Sequence, residues 1–171
     1  MSLASGVVKA KGGTPAIVAL EAAGLSFRVH EFDHDPGERN YGLEAARALG
    51  VEPDRVFKTL LADVTVAAGG VVQVVGIVPV TCQLSLKELA AAVGAKRAEM
   101  CNPAVAERLT GYVVGGISPF GQKKRLRTVI DETCLVCDTM FVSGGKRGLD
   151  LEIAPDALVA DLDAVVAPIG V

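Results

Sequence analysis

The chain has no tryptophan, two tyrosines and two histidines, and aromatics make up only 4% of its 171 residues. A core without large rings must be built from aliphatics, and half of the chain is hydrophobic, mostly Ala, Val and Leu. That composition is globular and excludes a disordered chain. The length suits one domain with a real core. A strong charge of either sign is also lacking, since 17 Lys and Arg against 20 Asp and Glu leave −3. The molecule as a whole is therefore no polyanion binder, and contact with nucleic acid needs a local basic patch. Lys123, Lys124, Arg125, Arg127, Lys146 and Arg147 would form one if the two glycine-rich segments beside them converge.

Other absences narrow the class further. Met1–Gly13 has no apolar core of a secretory signal and reads as a loose leader before a single domain over residues 14–171. Cys82, Cys101, Cys134 and Cys137 are then expected as reduced thiols in a cytoplasmic protein. Cys134 and Cys137 form a lone C-x-x-C. A zinc site needs two more ligands at matching spacing, which the other cysteines, His30 and His34 do not offer, so no metal or cofactor is expected. Val64–Leu86 is uncharged and long enough to cross a bilayer. Gly69-Gly70 divides it, and Gln73, Pro79, Thr81 and Gln83 follow, so it reads as a buried β-hairpin and not a membrane span. G-x-S-x-G, the P-loop and G-x-G-x-x-G before a helix are all missing, and no nucleophile–base pair stands out.

What is present is a mixture of short helices and strands. Thr14-Pro15, Ser85 with Glu88, and Asn102-Pro103 are helix starts, and Gly24, Gly50, Gly94 and Gly111 are stops. Helices are expected from Pro15, over Gly42–Leu49, from Leu86 to about Val93, from Pro103, and over Pro155–Leu162. Strands are expected over Ser26–Phe32, Val56–Val66, Val71–Val78, Ala95–Met100, Tyr112–Ile117, Arg127–Asp131, Asp138–Val142, Leu149–Ile153 and Ala164–Ile169. Direct strand–turn–strand steps favour a mixed α/β fold with a twisted, barrel-like sheet flanked by short helices. His34, in the polar loop Asp33–Tyr41, is either a solvated turn residue or an acid–base group. Lys58 interrupts an apolar strand, so it either reaches solvent at the strand end or lines a ligand pocket.

The organising stretch is Gly111–Arg125, G-Y-V-V-G-G-I-S-P-F-G-Q-K-K-R. Its glycines allow close backbone approach, and free N–H groups in such a loop can hold a carbonyl oxygen or an anion. With Lys58 and the S-G-G-K-R-G run at Ser143–Gly148, it suggests a site of backbone donors, one lysine and a basic rim. Such a site either binds only, or catalyses by positioning a substrate that brings its own nucleophile.

Four motifs in order carry a resemblance: T-P-A at Thr14–Ala16, F-K-T-L at Phe57–Leu60, the Gly111–Arg125 stretch, and S-G-G-K-R-G-L at Ser143–Leu149. Together they resemble the YbaK/EbsC family, related to the editing domain of bacterial prolyl-tRNA synthetases. The resemblance implies a trans-editing hydrolase that cleaves the ester between a wrong amino acid and the 3′ end of tRNA. In the cysteine-specific branch the substrate thiol attacks its own ester carbonyl. The implied roles place Lys58 on the adenosine or carbonyl region, and the N–H groups of Gly115 and Gly116 on the oxyanion. Phe32, Thr59, Ser118 and Ser143 would line the pocket. Lys123, Lys124, Arg125, Lys146 and Arg147 would meet acceptor-stem phosphates. Phe32 departs from a tyrosine frequent in the family, which removes one hydroxyl from the pocket. The implied partners are tRNA and prolyl-tRNA synthetase, with neither membrane nor DNA. The rival readings are a deacylase for alanyl or another ester, a factor that acts only with prolyl-tRNA synthetase, and a module that binds aminoacyl-adenosine or a nucleotide without turning it over.

Overall fold

In a computed structural model, residues 13–171 are described; the expected leader lies outside the described residues except for Gly13. Helix α1 (Pro15–Ala22) starts at Thr14, whose hydroxyl accepts the Ile17 N–H, and buries Ala16, Ile17 and Leu20. Strand β1 (Arg28–Glu31) is shorter than the alternation suggests. Helix α2 (Tyr41–Leu49) is capped by Asn40 and stopped by Gly50, which takes the left-handed conformation. The hairpin β2 (Phe57–Thr65) and β3 (Val71–Pro79) follows, then α3 (Leu86–Ala92), β4 (Arg97–Met100) and α4 (Pro103–Thr110). Ser85 and Asn102 cap those two helices as their sequences require. Strands β5 (Arg127–Asp131), β6 (Met140–Lys146) and β7 (Leu149–Ile153), helix α5 (Pro155–Leu162) and strand β8 (Val165–Ala167) complete the chain.

The mixed α/β fold holds two open sheets and not a closed barrel. One has the order β1-β7-β6 and the other β4-β2-β3-β5-β8. A parallel bridge between Val56 and Phe141 joins them. The larger sheet is apolar on both faces. Phe57, Leu61, Val75, Ile77 and Ile130 share one core with Met140, Val142 and Leu151 of the smaller sheet. Ala62, Val64, Val74, Val78 and Val129 face the other way, under Leu89 of α3 and Ile169. Burial on both faces explains why these strands read as near-continuous apolar runs. The uncharged Val64–Leu86 run is this hairpin and its exit, and among the described residues no helix is long and apolar enough to cross a membrane.

Two local expectations are corrected. Tyr112–Ile117 is not a strand. Helix α4 ends on the left-handed Gly111, the Val114 N–H donates to the Glu107 carboxylate, and the Gly116 N–H closes a turn on the Val113 carbonyl. Its valines are exposed. Conversely, Ser143–Lys146 is not loop but the end of β6, with its pairing to β7 irregular between Ser143 and Lys146. The turn proper is Arg147-Gly148.

Candidate functional site

The site follows from an incomplete strand ladder. Strand β4 pairs with β2 only from Ala62 to Thr65, with one more bond from the Cys101 N–H to the Leu61 carbonyl. Phe57–Leu60 therefore have a ladder neighbour on the β3 side alone. Along this open edge lies a cleft of about 590 Å³, walled by the start of α2, the start of α4, the Val114–Ile117 segment and the β6–β7 hairpin. That volume suits a ligand of nucleoside-ester size.

Lys58 lines the cleft and forms no ion pair among the described residues. It is half-buried, at the cleft wall. Thr59 is buried, and its Oγ1 has no hydrogen-bond partner among the described residues. A buried hydroxyl left unpaired costs about 1–3 kcal/mol, so such a group marks a place where a ligand atom can bond. Phe32 and Ser143 also line the wall, and Ser143 Oγ accepts the Gly145 N–H at 3.2 Å.

Gly115 reaches the cleft and Gly116 is not among its lining residues. A Cβ on Gly115, where φ is +88°, would come within 2.6 Å of the Tyr41 ring. A Cβ on Gly116 would come within 2.8 Å of the Lys146 Cα, so the two glycine-rich segments do converge. The Gly116 N–H is already committed to Val113 at 2.9 Å, whereas the Gly115 N–H has no acceptor among the described residues. Only the second is free to serve as an oxyanion donor.

Ser118 stands apart from the cleft. It is fully buried, and its hydroxyl accepts the Phe120 N–H in the reversal that packs Phe120 into the core. The expected basic patch is also divided. Lys146 and Arg147 are at the cleft. After the reversal at Ser118–Gly121 the chain is tied back to α4, with the Lys123 N–H on Thr110 and the Lys124 N–H on Leu109. Lys123 lies over Gly111. Lys124 and Arg125 line a separate depression with Val64 and Val71, at the far end of the β2–β3 hairpin. From Lys58 to Thr65 along β2 that is about 23 Å. Arg147 Nε and Nη2 both donate to the Val114 carbonyl, at 3.0 and 2.7 Å, and its guanidinium stacks over Tyr41 at 4.7 Å.

Other residues of the cleft carry no signal in the sequence, Asp150, Tyr41 and Glu44 among them. Asp150 on β7 lines the cleft, is buried, and makes no hydrogen bond or ion pair among the described residues. Burial pushes its carboxyl up to about 7. In the L-D-L-E-I alternation it reads as an outward, solvated residue, and nothing local says that a cleft wall covers that face. Tyr41 and Glu44 come from α2. Glu44 Oε1 lies 2.6 Å from His34 Nδ1, and its Oε2 accepts the Asp35 N–H. His34 is thus partly exposed and not among the residues that line the cleft; it braces the Glu44 carboxylate behind the wall. Cys101 also lines the cleft, but burial, with the charge of Asp63, pushes its thiol up to about 11. At neutral pH it is a protonated, unreactive thiol. All four cysteines are free, and no cluster of three metal-binding side chains occurs among the described residues.

A family model described as an aminoacyl-tRNA editing domain matches residues 38–160. The chain belongs to the aminoacyl-tRNA editing domain family. A relative from Enterococcus faecalis, provisionally named a Cys-tRNA(Pro)/Cys-tRNA(Cys) deacylase, EbsC, is 36% identical over 156 residues, spanning 89% of this chain and 90% of the relative. A crystal structure provisionally described as a trans-editing enzyme for prolyl tRNA synthetase superposes with a TM-score of 0.78 at 26% identity, covering 92% of this chain and 95% of that one. The hypothetical protein APE2540 superposes at 0.79 and 26% identity, covering 92% and 100%. The matched span of the editing domain includes α2, the open edge of β2 and the β6–β7 hairpin, the elements that wall the cleft.

Proposed function

We propose that residues 14–171 form one cytoplasmic trans-editing domain that deacylates Cys-tRNA(Pro), with the tRNA 3′ end in the cleft. The carrying observation is the cleft's chemistry. It offers an unpaired lysine, an orphan hydroxyl and a carboxyl that titrates near neutrality, and no activated protein nucleophile.

In this reading the substrate supplies the nucleophile. Its thiol loses a proton and attacks the ester carbonyl, so a C–S bond forms. The tetrahedral oxyanion is stabilised by the Lys58 ammonium, the Thr59 hydroxyl and the Gly115 N–H. The C–O bond to the ribose then breaks, the ribose oxygen takes up a proton, and a cyclic thioester leaves. Asp150 accepts the first proton as carboxylate and returns it to the ribose oxygen. A carboxyl near 7 is suited to both transfers at cellular pH. Lys146 at the rim meets backbone phosphate, which makes binding salt-sensitive. The likeness to a trans-editing structure for prolyl tRNA synthetase supports that synthetase as the partner that channels tRNA(Pro).

Asp150 also favours one rival, since the same carboxylate could activate water against an alanyl ester. Deacylation of Cys-, Ser- and Ala-tRNA(Pro), side by side, separates the two. Cleavage of the cysteinyl ester alone, abolished by Lys58→Ala, is the expected result. Equal rates on all three would replace the thiol by water. Cleavage of none would leave a binding module.

A further inference from the structure

Val113–Gly116 is a four-residue turn closed by the Gly116 N–H on the Val113 carbonyl at 2.9 Å. Gly115 occupies its third position with φ of +88°, the signature of a type II turn. The central peptide of such a turn joins residues two and three. Here it is one rigid plane with the Val114 carbonyl on one side and the Gly115 N–H on the other. Rotating that plane interconverts type I and type II and reverses the direction of the N–H, and glycine at the third position tolerates both. The turn's own closing bond does not choose between them.

Arg147 does. Two of its N–H groups grip the Val114 carbonyl, and its guanidinium lies over the Tyr41 ring, against which Gly115 packs. Fixing the carbonyl fixes the N–H at the other edge of the same peptide. With Nε and Nη2 spent in this way, Arg147 is poorly placed to meet a phosphate, the role its position in a basic run suggests.

We propose that Arg147 is a positioning residue that locks the Val114–Gly115 peptide and so aims the Gly115 N–H of the cleft. The role rests on the deacylase reading for its consequence and not for its geometry. Arg147→Lys keeps the charge but cannot make the paired contact with the carbonyl.

The test compares the wild-type chain with Arg147→Lys, Arg147→Met and Tyr41→Leu. The first readout needs no activity. The Gly115 amide resonance is expected to be single in the wild type and to split or broaden in Arg147→Lys. The second readout is kinetic. On Cys-tRNA(Pro) and on the cysteinyl ester of adenosine, which has no phosphate, all three variants should lose about tenfold to a hundredfold in kcat. KM and the salt dependence for tRNA should stay unchanged. An unaltered Gly115 resonance in Arg147→Lys overturns the lock. So does a loss confined to tRNA with a shallower salt slope, a full rescue by lysine, or a loss that merely tracks the folded fraction. A wild-type chain that cleaves neither ester sinks the deacylase reading, while the amide resonance still decides the lock.

Discussion

Two carboxylates on β7, Asp150 and Glu152, point to the same side of one strand and have opposite fates. Glu152 is surrounded by donors. His30 Nε2 lies at 2.9 Å and the Thr139 hydroxyl at 2.5 Å, with Arg55 at 3.6 Å. Burial pushes its carboxyl up, but the hydrogen bonds from Thr139 and His30 and the nearby cations hold it below the ordinary value. Asp150, one pleat away, has no such partner among the described residues, and burial lifts it to about 7. The same residue chemistry thus serves as a brace at one end of the strand and, in the proposed reaction, would carry the proton at the other. What differs is the supply of donors, and donors are missing where β2 has an open edge and the cleft begins. Burial of the Asp150 carboxyl without a charged partner among the described residues costs stability when it ionises.

The largest effect should come from removing that asymmetry. Asp150→Asn is expected to lower deacylation at least a hundredfold, because the proton carrier is lost. The same change should stabilise the protein at high pH. A carboxyl raised from 3.8 to about 7 in the folded state binds its proton more tightly folded than unfolded. Stability is therefore highest below the unfolded value and is lost as pH rises through 7. At pH 8 that loss is on the order of 4 kcal/mol, which asparagine avoids. Thermal melts at pH 8 and pH 4 should show the variant more stable at the first and the advantage gone at the second. Glu152→Gln should do the reverse. It removes charge-assisted hydrogen bonds worth about 1–3 kcal/mol, so the melting point falls while kcat at 25 °C holds. Its wild-type advantage is present above the ordinary glutamate range and fades as pH falls below it, through the lowered folded value. Equal effects of the two substitutions on activity would show that the contrast between them is not functional.

Most of the elements were legible because caps and stops are local. Thr14-Pro15, Ser85, Asn102-Pro103 and Gly50 act within one turn of themselves, and the structure places helices where they say. Tyr112–Ile117 reads as a strand because Tyr112, Val113, Val114 and Ile117 are β-formers, while the deciding facts are a left-handed Gly111 and the Glu107 carboxylate of the helix it ends. Lys58 and Thr59 could be suspected, since a lysine inside an apolar strand is a local conflict. Asp150 could not, because its outward face becomes a cleft wall only when α2 and α4 arrive from distant sequence. The division of the basic patch was equally hidden, since Lys124 and Lys146 are separated by the path of the chain and not by any property of their own neighbours.

The smallest effect tests whether the cleft's unsatisfied groups act together. Thr59→Val keeps the shape of the side chain and removes only the hydroxyl. Because Thr59 Oγ1 is buried without a partner, its loss should leave stability unchanged or raise it by about 1 kcal/mol, a shift of a few degrees in the melting point. If the hydroxyl bonds the substrate in the transition state, kcat/KM should fall about tenfold over the same interval. A pairing of higher melting point with lower activity places Thr59 beside Asp150, as a group whose missing partner is the substrate. A lower melting point with unchanged activity would instead assign the hydroxyl to the fold, through a partner such as a buried water, and would leave Lys58, Gly115 and Asp150 to carry the chemistry.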